Sequence, residues 1–283
     1  MSRYNWLERE RTEMKKFITT VASLTLLTGV LAGCGTNDAK KEADTPKEVE
    51  KESAPVELTV SAAASLQNAL EDLQQTYEAE HDNVTIVYNF GGSGALKQQI
   101  EQGAPVDVFF SAAEDKFDEL VETGAIDKAQ GTDLLANELV VVVPTPNEKN
   151  ITSFEDLTKA DKIALGTPES VPAGKYGVET LENMQLWEAL EPKVVYAKDV
   201  RQVLTYTETE NVDAGLVYNT DAMISDKVAT IATAPAKTHT PIVYPVGVIK
   251  NTKHTAEAQD FYNFLQSEEA MKVFEQYGFK GAK

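Results

Sequence analysis

Three features of this 283-residue chain predict an α/β fold with mainly parallel sheets flanked by helices. Short β-branched or aromatic runs alternate with ten- to fifteen-residue stretches of helical spacing, the pattern of βαβ units. Several strand-to-helix joins share one chemistry: small residues, then Ser, Pro or Asp, then a helix. No segment recurs with a shared motif at a period of about 20–50 residues, which excludes a solenoid.

The N-terminus reads as a targeting segment, residues 1–33. Lys15-Lys16 precede residues 17–32, an uncharged apolar stretch rich in Thr, Ser and Gly, the layout of a secretory signal. Met14 is the expected start, with the charged segment MSRYNWLERERTE upstream of it. The end of the stretch, Leu31-Ala32-Gly33-Cys34, resembles the lipobox of bacterial lipoproteins, which implies cleavage before Cys34 and its lipidation. Residues 34–55 then form a polar, charge-mixed tether with too little apolar surface to fold. Cys34 is the single cysteine, so the globule has no internal disulfide.

Leu58-Thr59-Val60 predicts a short buried strand, and Leu66, Ala69, Leu70, Leu73 and Tyr77 a helix after it, with Ser65 at the N-cap. Residues 84–90 predict the next strand; Gly91-Gly92 form a turn and Ser93 caps the following helix. The third join has a strand at residues 163–165 and Pro172-Ala173 in the first helical turn. At the fourth, a strand at residues 194–196 leads to Asp199 as cap and Val200 as the first helical residue. VDVFFSAA, LVVVVP and AGLVYNT supply further strands, and residues 256–277 a C-terminal helix.

Helix starts carry amide N–H groups without intrahelical partners and partial positive charge, so they suit anions. Small residues let an anion reach the backbone. The charge balance excludes other partners: 45 acidic against 26 basic residues give a net charge of −19, which repels nucleic acid. No G-x-S-x-G and no P-loop occurs, and His81, His239 and His254 lie in polar, loop-like contexts, so neither catalysis nor nucleotide hydrolysis is expected. The acids fall mostly on helix faces, as at Glu71-Asp72 and Glu268-Glu269, and no direct cation ligands are expected. Asp107 and Asp213 stand at strand edges with no ligand role.

The pieces AAASLQNAL, FGGSGAL, GAPVDVFFSA, LVVVVP, PESVPAGKYG, KDVRQVL, GLVYNTDA and YPVGVI occur in this order. Together they resemble the molybdate-binding proteins of ABC transporters, of the type II periplasmic-binding-protein superfamily. The resemblance implies a two-lobed clamp with the ligand between the lobes. It places lobe one at residues 56–137 plus 246–283 and lobe two at 138–245, with crossings near 137–141 and 241–246. It implies that an oxyanion, molybdate or tungstate, is held by the hydroxyls of Ser65, Ser93 and Tyr218 and the backbone N–H groups of Ala173 and Val200. Molybdenum is then present only as molybdate, through those same residues, and no cofactor is required. A membrane ABC permease is the implied partner and a monomer the expected state. The expected location is the outer face of the bacterial cytoplasmic membrane, held by the lipid anchor only. A sulfate-binding protein and a surface-anchored module without a transport role are the alternatives. Gly91-Gly92 depart from the small polar residues some relatives carry at that turn.

Overall fold

The computed structural model describes residues 54–282. The signal segment, Cys34 and all but the end of the tether lie outside the described residues. Two sheets organise the rest, one of six strands and one of five.

The first sheet grows from β1 (Val56–Ala63), followed by α1 (Gln67–Glu80), β2 (Val84–Gly91), α2 (Ser93–Glu101), β3 (Val108–Phe110), α3 (Glu114–Glu122) and β4 (Ile126–Ala136). The chain then builds the second sheet: β5 (Leu139–Pro144), β6 (Ile163–Gly166), α4 (Pro172–Asn183), β7 (Val194–Ala197), α5 (Val200–Glu208), β8 (Ala214–Tyr218), α6 (Asn219–Met223) and β9 (Val228–Thr233). It returns through β10 (Val243–Ile249), α7 (Thr255–Leu265), α8 (Glu268–Gln276) and β11 (Lys280–Gly281). The spatial orders are β11-β4-β10-β3-β1-β2 and β7-β6-β8-β5-β9.

The sheets are mixed rather than mainly parallel. β1 runs parallel to β2 and β3, and β6 runs parallel to β7 and β8. The strands that carry the chain between sheets, β4, β5, β9 and β10, pair antiparallel. They are not products of βαβ crossovers, so nothing forces them into the parallel sense. Strand β10 enters between β3 and β4, running against both. Its first residues, Val243 to Pro245, therefore pair in the first sheet, although sequence placed them in the second lobe.

The apolar spacing of α1 buries Leu70, Leu73 and Tyr77. Leu70 and Leu73 are 0% exposed, so truncating either to alanine costs about 2–5 kcal/mol. The predicted single C-terminal helix is two, because Ser267 accepts a hydrogen bond from the Ala270 N–H at 3.1 Å and starts α8 afresh. Both helices return to the first sheet, where Phe274 meets the rings of Phe110 and Phe279 edge-on. Asp107 and Asp213 are structural. Asp107 accepts from the Thr59 N–H at 2.7 Å, and Asp213 accepts from the N–H groups of Asp161 and Lys162 at 2.7 and 3.1 Å.

Candidate functional site

Ser65, Ser93, Ala173, Val200 and Tyr218 all line one cavity, with Ala63, Ala64, Gly92, Ala112 and Val171 among its other walls. Among the described residues, no charged side chain lines it. The space between its atoms is about 190 Å³, open mouth included. The small side chains of its walls leave a space on the scale of one small ion.

The two serines are placed differently from the sequence reading. Ser65 does not cap α1. It sits inside a tight 3₁₀ turn, Ala64–Leu66, that precedes the helix. Its Oγ lies 2.9 Å from the Tyr244 hydroxyl, a partner far away in sequence that competes with any nearby amide. Tyr244 in turn accepts from Asn137 Nδ2 at 3.2 Å. Either hydroxyl can donate in that pair; when the Tyr244 proton is directed at Ser65, the serine's own proton is free for the cavity. Ser93 is the first residue of α2, and Gly92 holds the N-cap position. Ser93 Oγ accepts from the Ala112 N–H at 2.9 Å, which leaves its proton unspent.

The second sheet supplies backbone donors. Pro172 opens α4 and puts Ala173 in its first turn. Here Gly174 is required by close approach: a Cβ on it would lie 2.0 Å from the Gly166 carbonyl oxygen. The helix start is thereby pressed against the end of β6. Val200 opens α5, and Asp199 caps it by accepting from the Gln202 N–H at 2.8 Å. First-turn N–H groups have no upstream carbonyl to bond, so Ala173 and Val200 present free donors.

Tyr218 ends β8, is 1% exposed, and has a hydroxyl without a hydrogen-bond partner among the described residues. Burial holds that hydroxyl far above its ordinary pKa, so it stays a neutral donor. Buried polar atoms normally have partners, which makes an orphan on a cavity wall a marker of something to be bound. Two other buried atoms without such a partner, Arg201 Nε and Asp221 Oδ1, face each other at 2.7 Å as an ion pair.

This ion pair was not singled out on sequence, though both residues sit in the quoted DVR and NTDA pieces. Asp221 is 0% exposed. Its second oxygen accepts from the Tyr218 N–H at 3.3 Å, and Arg201 also donates to the Ser65 carbonyl at 3.3 Å. Burial pushes the Asp221 carboxyl up to about 6, against the pull of Arg201 and the Tyr218 N–H. The pair thus braces Val200, Tyr218 and Ser65 from behind the cavity wall.

Other contacts cross between the sheets. The Gly94 N–H donates to the Ser170 carbonyl at 3.0 Å, and Lys175 Nζ stands 3.0 Å from Asp115 Oδ2. None of the histidines lines the cavity. His81 instead stacks on Tyr77, with ring centroids 4.1 Å apart.

Residues 58–280 match the bacterial extracellular solute-binding protein family. The protein YvgL of Bacillus subtilis, provisionally described as an ABC transporter substrate-binding lipoprotein, is 54% identical over 94% of this chain and 98% of its own. The molybdate-binding protein ModA of Escherichia coli is 39% identical over 78% of this chain and 88% of its own. Among solved structures, the periplasmic molybdate-binding protein of Azotobacter vinelandii superposes with a TM-score of 0.72. It covers 80% of this chain and 100% of its own, and at 24% identity it speaks for the fold alone. These relatives bear out the resemblance read from the sequence, the two-lobed α/β fold, and a role in binding rather than catalysis. The chain belongs to the family of bacterial extracellular solute-binding proteins.

Proposed function

We propose that this protein captures molybdate, and tungstate with it, in the cavity between its two sheets and delivers it to a membrane ABC permease. The observation that carries the reading is the unpartnered, fully buried Tyr218 hydroxyl on a small cavity without charged side chains. In the bound state Ser65, Ser93 and Tyr218 donate hydroxyl protons, and Ala173 and Val200 donate backbone N–H groups. The relatives named for ABC transport and for molybdate support the substrate class.

Donor-only walls suit the ligand's chemistry. Molybdate and tungstate are bare dianions near pH 7 and need only donors. Hydrogen phosphate carries a proton that requires an acceptor, and a wall hydroxyl supplies one only by turning its own proton away from the ion. Aligned neutral donors in a closed cleft act at short range, and a surface charge is screened within roughly 8–10 Å. The net charge of −19 is therefore compatible with anion capture. Lobe one is residues 56–137 plus 246–283 and lobe two 138–245, less the β10 residues that pair in the first sheet. The lobes hinge at the crossings, and the closed form docks on the permease. Cys34 carries the lipid that holds the monomer at the outer face of the membrane.

Thermal unfolding with millimolar molybdate, tungstate, sulfate or phosphate tests this. A ligand at about a thousand times its Kd adds about 4 kcal/mol of stability. A large shift with molybdate and tungstate alone is the expected result. An equal shift with sulfate changes the substrate, and no shift with any oxyanion removes the function.

A further inference from the structure

Gly92 on the cavity wall and Gly94 two residues beyond it are not required by their own backbone. Gly92 has φ −70° and ψ 132°, ordinary values for any residue. Gly94 lies in the first turn of α2, where alanine is the better helix former. The reason for glycine lies across the cleft. A Cβ on Gly92 would stand 2.6 Å from the Ser170 carbonyl oxygen and 3.1 Å from that of Lys198. A Cβ on Gly94 would stand 2.8 Å from Ser170 Cα and 3.0 Å from the Glu169 carbonyl oxygen. These obstacles are backbone, and they cannot rotate away as a side chain can. Ser170 is held in a tight turn, where Ser170 and Val171 both donate N–H groups to the Thr167 carbonyl, at 3.1 and 2.8 Å.

Ser170 and Lys198 belong to the two turns that precede Pro172 and Val200, and those turns position the second sheet's backbone donors. Gly92 fits between them, immediately before Ser93. The Gly94 N–H to Ser170 bond closes the same seam from the other side. We propose that Gly92 and Gly94 are positioning residues for oxyanion capture: their missing side chains set how closely the two halves of the cavity approach. The proposal rests on the oxyanion reading above. A methyl at either position removes no donor. It holds Ser93 and Ser65 away from the turns that carry Ala173 and Val200, and so lengthens every bond across the ion. The hinge motion of the proposed function moves these carbonyls away from the methyl before the ion binds, and at Gly94 alanine favours α2.

The test uses Gly92→Ala and Gly94→Ala in the full chain. Three quantities are read: melting without ligand, calorimetric titration with sodium molybdate, and X-ray scattering with and without saturating molybdate. The expected result is wild-type melting without ligand, raised in Gly94→Ala, together with a molybdate Kd at least about tenfold weaker. The scattering compaction that molybdate induces in wild type is absent from both variants. Wild-type Kd and compaction in both variants overturn the seam alone. Loss of unligated stability also overturns it, because the open halves leave room for the methyl. A wild-type protein that ignores molybdate overturns the binding reading and the seam with it.

Discussion

The two halves of the cavity reach the same chemistry by different means. The first sheet offers side-chain hydroxyls already bonded within the protein: Ser65 shares a hydrogen bond with Tyr244, and Ser93 accepts from the Ala112 N–H. The second offers first-turn N–H groups at Ala173 and Val200, plus the Tyr218 hydroxyl, which has no partner. A committed hydroxyl contributes to the fold and to the ligand together. An orphan contributes only when the ligand arrives, and until then carries a desolvation cost. The halves therefore respond to mutation in different currencies, and variants can separate them.

The largest effect is expected where the halves are braced. Arg201→Met leaves the Asp221 carboxylate buried without its partner and removes the bond to the Ser65 carbonyl. Breaking a buried pair from one side costs about 3–5 kcal/mol, read by chemical denaturation of the unligated protein. A loss below about 1 kcal/mol would mean that the pair does not brace the site.

Next come the serines. Ser93→Ala strands the buried Ala112 N–H and removes a ligand donor, so it lowers unligated stability and weakens molybdate binding, each by about 1–3 kcal/mol. Ser65→Ala weakens binding by a similar amount. Binding unchanged in both variants would take the first sheet out of the site.

Asp221 gives a pH signature. Its folded pKa, about 6, lies above the usual carboxylate value near 3.9. The folded state thus holds its proton more tightly than the unfolded chain. This contribution is fully present below about pH 4 and is lost as pH rises through about 6. Melting of wild type compared with Asp221→Asn between pH 4 and 7.5 isolates it. The wild type is expected to lose ground to the variant as pH rises, and a gap that does not change with pH would contradict the assignment.

The smallest effect belongs to the cap of α5. Asp199→Ala removes the bond from the Gln202 N–H and costs about 1 kcal/mol in thermal unfolding. It also loosens the turn that presents Val200, so a small additional loss of molybdate affinity accompanies it.

What the sequence revealed divides along physical lines. The parallel strands β1 and β6 were legible as buried apolar runs, and β2 and β7 as β-branched and aromatic runs, each beside a helix of clear periodicity. Strand β4 was missed: its residues Asp127 to Gln130 are exposed, and pairing with β10 and β11 fixes it rather than its own composition. Strand β9, at the edge of its sheet, was missed for a related reason. Helix starts at Pro172 and Val200 followed from local rules of capping and φ. Local rules misplaced Ser65 and Ser93, whose hydroxyls answer to Tyr244 and Ala112, residues that only the folded sheet brings near. Tyr218 entered through the family resemblance. Its own sequence context describes a half-buried strand aromatic, and its full burial without a hydrogen-bond partner among the described residues marks it out. Arg201 and Asp221 sat in the quoted motifs without a role, because their pairing joins α5 to α6.

The measurement that tests the central claim most directly is a calorimetric titration of wild type and Tyr218→Phe with sodium molybdate, beside unligated melting of both. The change deletes one unpartnered oxygen and keeps the ring. The account predicts one ion per protein, a Kd weakened in the variant by about tenfold to a hundredfold or more, as for a hydrogen bond to a charged group, and no loss of unligated stability. An unchanged Kd, or a loss of unligated stability equal to the loss of binding, would contradict it.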